Sequence, residues 1–249
     1  MIARDFEALK EYLESYTLNA VINNPRQLDV IKTAHKGYLP FLQFWSVCLD
    51  AANNNTFSIF GKRIDVSSQE FAHFREAVSD VGNGLFCCLH GAYKPGHMAL
   101  RSSIENYLRF ATGPFDKSGL STTSVYELFD IAKTTHPFID RRTAYLEQLR
   151  NIYVELCKFT HSATLEHMAG IHALAHFPSF DENAFRKWLI FKKKCMGVMT
   201  TVTLLGQPSL YLNSHFTAKE VIDLLFSHSE RLEMLKGKSS LIEKVSSID

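Results

Sequence analysis

No run of about 18 apolar residues occurs in this 249-residue chain, so no transmembrane helix is expected. The N-terminal segment MIARDFEALKEYLESY has no apolar h-region, and no secretory signal is expected there. Glycine and proline are scarce, 12 and 7 residues, which excludes a turn-rich β fold and favours long helices. Charge of one sign is not in excess. The formal net charge of +1 carries no bulk signature of nucleic-acid binding and leaves only local patches to consider. No CxxC spacing exists among Cys48, Cys87, Cys88, Cys157 and Cys195, an odd number. They read as reduced core thiols, and a cytoplasmic setting is expected. No GxGxxG, Walker A, GxSxG or kinase signature is present, so no cofactor is expected.

What is there is helical periodicity. Residues 3–16 place Phe6, Leu9 and Leu13 on one stripe. NNPRQ starts a second helix, over 27 to about 52, expected to kink or split at Gly37 and Pro40. TFSIF and KRIDV, within about 56–66, suggest one small β-hairpin. Ser67 or Ser68 caps a helix expected to reach Tyr93, and Lys94-Pro95-Gly96 reads as a turn. Further helices are expected over 97–112, 124–134, 138–162, 182–205 and 217–235, the last opened by a Thr217–Glu220 capping box. The expected fold is all-α, a multi-helix bundle forming a single domain over 1–236, followed by a frayed polar tail at 237–249.

Two helical stretches spend positions on polar groups. In GHMALRSSIENYLRFATG, Arg101 and Glu105 lie one turn apart on one face. In EQLRNIYVELCKFTHSA, Arg150 and Asn151 precede His161. Eleven steps of about 100° bring Arg150 and His161 to within about 20° of one face, about 16 Å apart. If the two helices pack antiparallel, Glu105 could meet Arg150 or His161, holding the imidazole in one tautomer beside a guanidinium fork for phosphate. Such a set could bind a phosphodiester or cleave one with His161 as general acid or base. It could equally be a structural network that fixes helix register. The sequence leaves both readings open.

GAYKPGHMALRSSIE (91–105) and YVELCKFTHSA (153–163) resemble the helix motifs of the HEPN superfamily (higher eukaryotes and prokaryotes nucleotide-binding), in particular its divergent prokaryotic members. The resemblance implies an HEPN-like core over about 67–165. It also implies a homodimer, and a prokaryotic defence or toxin–antitoxin setting with RNA, a nucleotide or a partner protein as target. In the family's ribonucleases an Arg-polar-x(3–5)-His motif sits at the dimer seam. Arg150-Asn151 matches its start and His161 its end, with nine residues between Asn151 and His161. By that resemblance His161 would be the general acid/base of a metal-independent ribonuclease, Arg150 and Arg101 phosphate binders, and Glu105 the orienting group. The alternative is a non-catalytic interaction or regulatory protein.

His161, His167, His172 and His176 cluster in sequence, but no HExxH arrangement or third ligand accompanies the His172–His176 pair, and no metal site is expected. Arg186, Lys187, Lys192, Lys193 and Lys194 read as a solvated helix face, with a nucleic-acid backbone contact as the sharper alternative.

Overall fold

The computed structural model describes residues 18–162, 164–168 and 179–226. The expected helix over 3–16, the His172–His176 pair and the chain beyond 226 lie outside these residues. The described chain is an all-α bundle carrying one two-stranded sheet.

A short helix α1 (Asn19–Ile22) leads into α2 (Pro25–Asn53). Asn24 caps α2 by accepting the Arg26 and Gln27 backbone N–H groups, with Pro25 in the first turn, where its missing donor costs nothing. The expected split at Gly37 and Pro40 does not occur; α2 continues through both. Pro40 leaves only the Lys36 carbonyl without its helical partner. Lys36 is solvent-exposed, so water can serve that carbonyl, while buried Pro40, Phe41 and Phe44 anchor the helix in the core.

The hairpin is present as β1 (Ser58–Ile59) and β2 (Lys62–Arg63), paired antiparallel with Ile59 opposite Lys62. Its two-residue loop, Phe60-Gly61, has both φ angles positive, 45° and 79°, as the hairpin twist requires. Gln207 secures it from the far end of the chain. The Gln207 side chain accepts the Ser58 N–H at 2.7 Å and donates to the Thr56 carbonyl at 2.7 Å.

Ser68 caps α3 (Gln69–Leu89) through the Phe71 N–H. The helix stops at Leu89 rather than Tyr93, and Tyr93–Pro95 forms the first turn of α4 (Tyr93–Thr112) rather than a free turn. Pro95 fits there because first-turn N–H groups have no intrahelical acceptor. Gly91, at φ +76°, makes the corner, and a Cβ on it would lie 2.1 Å from the Ser179 carbonyl oxygen. α3 and α4 pack antiparallel at close range. A Cβ on Gly84 would sit 3.1 Å from the Gly96 carbonyl oxygen, and one on Gly96 would sit 2.3 Å from Cys88 Sγ.

After α5 (Ser118–Ser121) and α6 (Val125–Thr134), two 3-10 turns lead to α7 (Thr143–Thr160), which packs on α4. α8 (Glu182–Gly206), capped by Asp181, then crosses the bundle. Its Trp188 indole N–H donates to the Gly96 carbonyl at 3.1 Å, beside Gly84. The Tyr107 hydroxyl donates to the Met199 carbonyl at 3.0 Å. Between these anchors lies an aromatic core in which Phe74 stacks on Phe110 at 4.2 Å, flanked by Phe57, Phe71 and Phe44. Such pairs add about 0.5–1.5 kcal/mol each beyond their burial.

α2 and α8 run in parallel: Arg26 pairs with Glu182 at 2.9 Å, and Lys192 Nζ donates to the Ala34 carbonyl at 3.2 Å. Lys192 therefore departs from the solvated face expected of it. It is 2% exposed, under the rings of Tyr38 and Trp188, and burial lowers its pKa to about 8. Its phase on α8 puts it on the core side, which its lysine neighbours avoid.

The chain continues through α9 (Ser209–Leu212) to α10 (Phe216–Ile222). His215, not Thr217, caps α10: its ring accepts the Thr217 N–H, so the expected capping box is not formed. All five cysteines are free. No helix among the described residues is long and apolar enough to cross a membrane.

The glycine contacts separate two substitutions of the same chemistry. Gly96→Ala should cost about 1–3 kcal/mol by overpacking. Gly37→Ala, with nothing within 4 Å of its Cβ, should stabilise by about 0.5–1 kcal/mol. Urea unfolding followed by circular dichroism measures both.

Candidate functional site

One stripe of α4 carries the polar groups. Arg101, Ser102, Glu105 and Asn106 are all partly buried, between α3 on one side and α7 on the other. Arg101 Nε lies 3.3 Å from Glu105 Oε1, the one-turn pairing expected from the sequence. The antiparallel arrangement of α4 and α7 also holds: Lys94 near the start of α4 donates to Ser162 just past α7, and Glu105 further along meets Tyr153.

That register decides what Glu105 touches. The Tyr153 hydroxyl donates to Glu105 Oε1 at 2.9 Å, and the Arg101 guanidinium stands 5.5 Å from the centre of the Tyr153 ring. Phe129 packs edge-on against that ring at 5.6 Å. Burial, then the Glu105 carboxylate, drive the Tyr153 pKa far up, so the phenol keeps its proton and remains a donor. Glu105 thus meets neither Arg150 nor His161. Arg150 and Asn151 project from the outer face of α7 and are exposed. His161 is exposed too. It is the C-cap residue of α7, its backbone N–H bonded to the Cys157 carbonyl. Among the described residues Arg150 has no ion pair or hydrogen bond. The five predicted residues therefore divide into a closed pair, Arg101 and Glu105, and an open set on α7.

On its other flank α4 joins a second network that the sequence reading missed. His73 Nδ1–H donates to Asn106 Oδ1 at 2.9 Å, and Asn106 Nδ2 donates to Asp80 Oδ2 at 3.0 Å. Asp80 is only 8% exposed. Its pKa is raised, first by burial and further by the Glu76 and Glu105 charges, against hydrogen bonds from Ser102 and Asn106. The spacing His73–Asp80, two turns on one helix face, was the available signal. The network ties α3 to α4 through these three side chains.

A third group closes the N-terminal end of α4. His97 is 2% exposed and stacks on Phe159 of α7 at 3.8 Å. Its Nδ1–H donates to the Tyr93 carbonyl at 2.6 Å, which leaves Nε2 as the bare nitrogen, buried and with no hydrogen-bond partner among the described residues. Phe159 in turn meets His167, whose Nδ1 lies 2.5 Å from the Thr164 hydroxyl. Among the described residues no three His, Cys, Asp or Glu side chains converge as metal ligands.

Comparison with family models, with curated proteins and with solved structures returned no match to this chain.

Two measurements test this geometry. A double-mutant cycle of Tyr153→Phe and Glu105→Ala should give a coupling of about 1.5–3 kcal/mol, as for a hydrogen bond to a charged group; a coupling near zero would remove the contact. The second concerns pH. Burial pushes the His97 pKa from 6.5 down to about 4. Between those values the unfolded chain takes up a proton that the folded chain refuses, so the stability present above pH 6.5 is lost as pH falls. Unfolding free energy should drop by on the order of 2 kcal/mol from pH 7.5 to 5.0 through this residue. His97→Phe should flatten that drop, and an equal drop in the variant would refute the assignment.

Proposed function

We propose that the protein is an HEPN-like helical module of a prokaryotic defence or toxin system that binds RNA, with no complete catalytic centre in a single protomer. One observation carries the reading: Arg150, Asn151 and His161 are displayed on the solvent side of α7, while Glu105 is occupied by Arg101 and Tyr153. An exposed guanidinium, amide and imidazole along about 16 Å of helix can follow a phosphate backbone. General acid–base cleavage needs the imidazole and a charge-stabilising group on one phosphate, and that span is too long for it. Arg101 and Glu105 are in this reading a clamp that sets the register of α7, as in bundles where buried ion pairs fix geometry rather than add stability.

The same exposure favours a second reading. Side chains exposed on the outer side of α7 are open to those of a second copy, so a homodimer about α7 could bring His161 of one chain to Arg150 of the other. That arrangement would be a metal-independent ribonuclease.

The deciding experiment is RNA cleavage by the wild-type chain and by His161→Ala, both checked for folding by circular dichroism. Binding without cleavage in both proteins is the expected result. Cleavage by wild type alone would replace the first reading with the second.

A further inference from the structure

The chain's charge is unevenly placed. The segments 26–36 and 181–194 hold eight Lys and Arg against three Asp and Glu, so the remainder of a chain of net +1 carries −4. These segments lie side by side, because α2 and α8 run in parallel. Their solvent sides meet: Glu182 receives Arg26 from α2 at 2.9 Å and Arg186 from its own helix at 3.0 Å. Lys32 and Lys36 are exposed on α2. Lys187, Lys193 and Lys194 are exposed on α8, at the spacing of one helix face. None of these five lysines has an ion pair or hydrogen bond among the described residues. Only Lys192, turned inward, is excluded from the face.

We infer that this α2–α8 face is a docking surface for the phosphate backbone of double-stranded RNA. The inference rests on the reading of the protein as an RNA-binding module and assigns that binding to a surface other than the residues on α7. Charge complementarity requires a polyanion, and shape selects among polyanions. Two packed helices, with axes on the order of 8–10 Å apart, present a broad face. That face is too wide for the major groove of B-form DNA, about 12 Å across, which admits one helix. A-form RNA is recognised from outside, by backbone contacts across its wide, shallow groove. Single-stranded RNA is held largely by stacking on aromatic rings. Among the described residues the exposed Phe and Tyr side chains, Phe86, Tyr126 and Phe216, lie on neither helix. An anionic membrane would need a continuous apolar face to insert, and among the described residues the outer sides of α2 and α8 expose only Leu39 and Ile190 as large apolar side chains.

The test is fluorescence anisotropy of a labelled RNA duplex of about 20 base pairs with the full chain, between 50 and 200 mM salt. The three exposed lysines of α8, one phosphate each, predict a slope of log K against log salt of about −2 to −3, at about 0.7–0.9 per contact. The triple variant Lys187→Gln, Lys193→Gln, Lys194→Gln should flatten that slope by about 2–3 and weaken binding at least tenfold at 50 mM salt. The corresponding triple Lys→Arg variant should retain both. Undetectable duplex binding, an unchanged Gln variant, or equal binding of single-stranded RNA, DNA duplex or polyglutamate would each overturn the inference. Repeating the titration with His161→Ala and Arg150→Ala separates it from the reading it rests on. RNA binding that falls with Arg150 but ignores the lysines sinks this face alone. Lysine-dependent binding followed by cleavage that needs His161 sinks the non-catalytic reading alone.

Discussion

The approach of α3 to α4 is the constraint on which the other contacts depend. Gly84 and Gly96 let the two backbones come close enough for Trp188 to lie against the pair and bond the Gly96 carbonyl. The same closeness brings Phe74 onto Phe110 and aligns His73 and Asp80 with Asn106. A wider separation would lose the ring stack and the amide relay together. It would also leave a buried tryptophan N–H without its acceptor, at a cost of about 1–3 kcal/mol.

With α3 and α8 holding α4 on that side, the remaining face of α4 is the one that α7 covers. α7 then meets a row of polar groups, not an apolar stripe, and Tyr153 is the residue that suits both. Its ring lies against Phe129 and the Arg101 guanidinium, and its hydroxyl reaches Glu105. This leaves the outer side of α7 without structural duties. Among the described residues the lysines on the outer sides of α2 and α8 are likewise outside the packed core.

The fold was largely readable from sequence because its signals are local. Asn24-Pro25, Ser68 and Asp181 each announce a helix start through a side chain that meets its own backbone, and the Phe60-Gly61 hairpin is set by turn chemistry. Pro40 does not split α2, because a proline is tolerated where the lost bond faces water and the ring is buried, and burial is not a local property. Pro95 was misread because whether a proline sits in a first turn depends on where the helix begins. For the candidate site, the Arg101–Glu105 pair follows from helical spacing. Which residue on α7 it would meet depends on a register between two helices, and there Tyr153 took the place expected of Arg150 or His161. Lys192 shows the same limit: a run of three lysines looks uniform, yet one step of about 100° turns its first member into the core.

Gln207 ties the Phe60 hairpin to the end of α8, and Trp188 and Tyr107 tie α8 to α4, so the bundle is closed by segments far apart in the sequence. This has a consequence during synthesis. At about 5–20 residues per second, the ribosome takes several seconds to deliver α8 after α4 has emerged. Over that interval the nascent helices hold their aromatic surfaces without α8, the late helix that covers them. The burden of keeping such a chain from associating therefore falls on the interval before residue 206 leaves the exit tunnel, a vulnerability set by the order of the helices and independent of the stability of the finished protein.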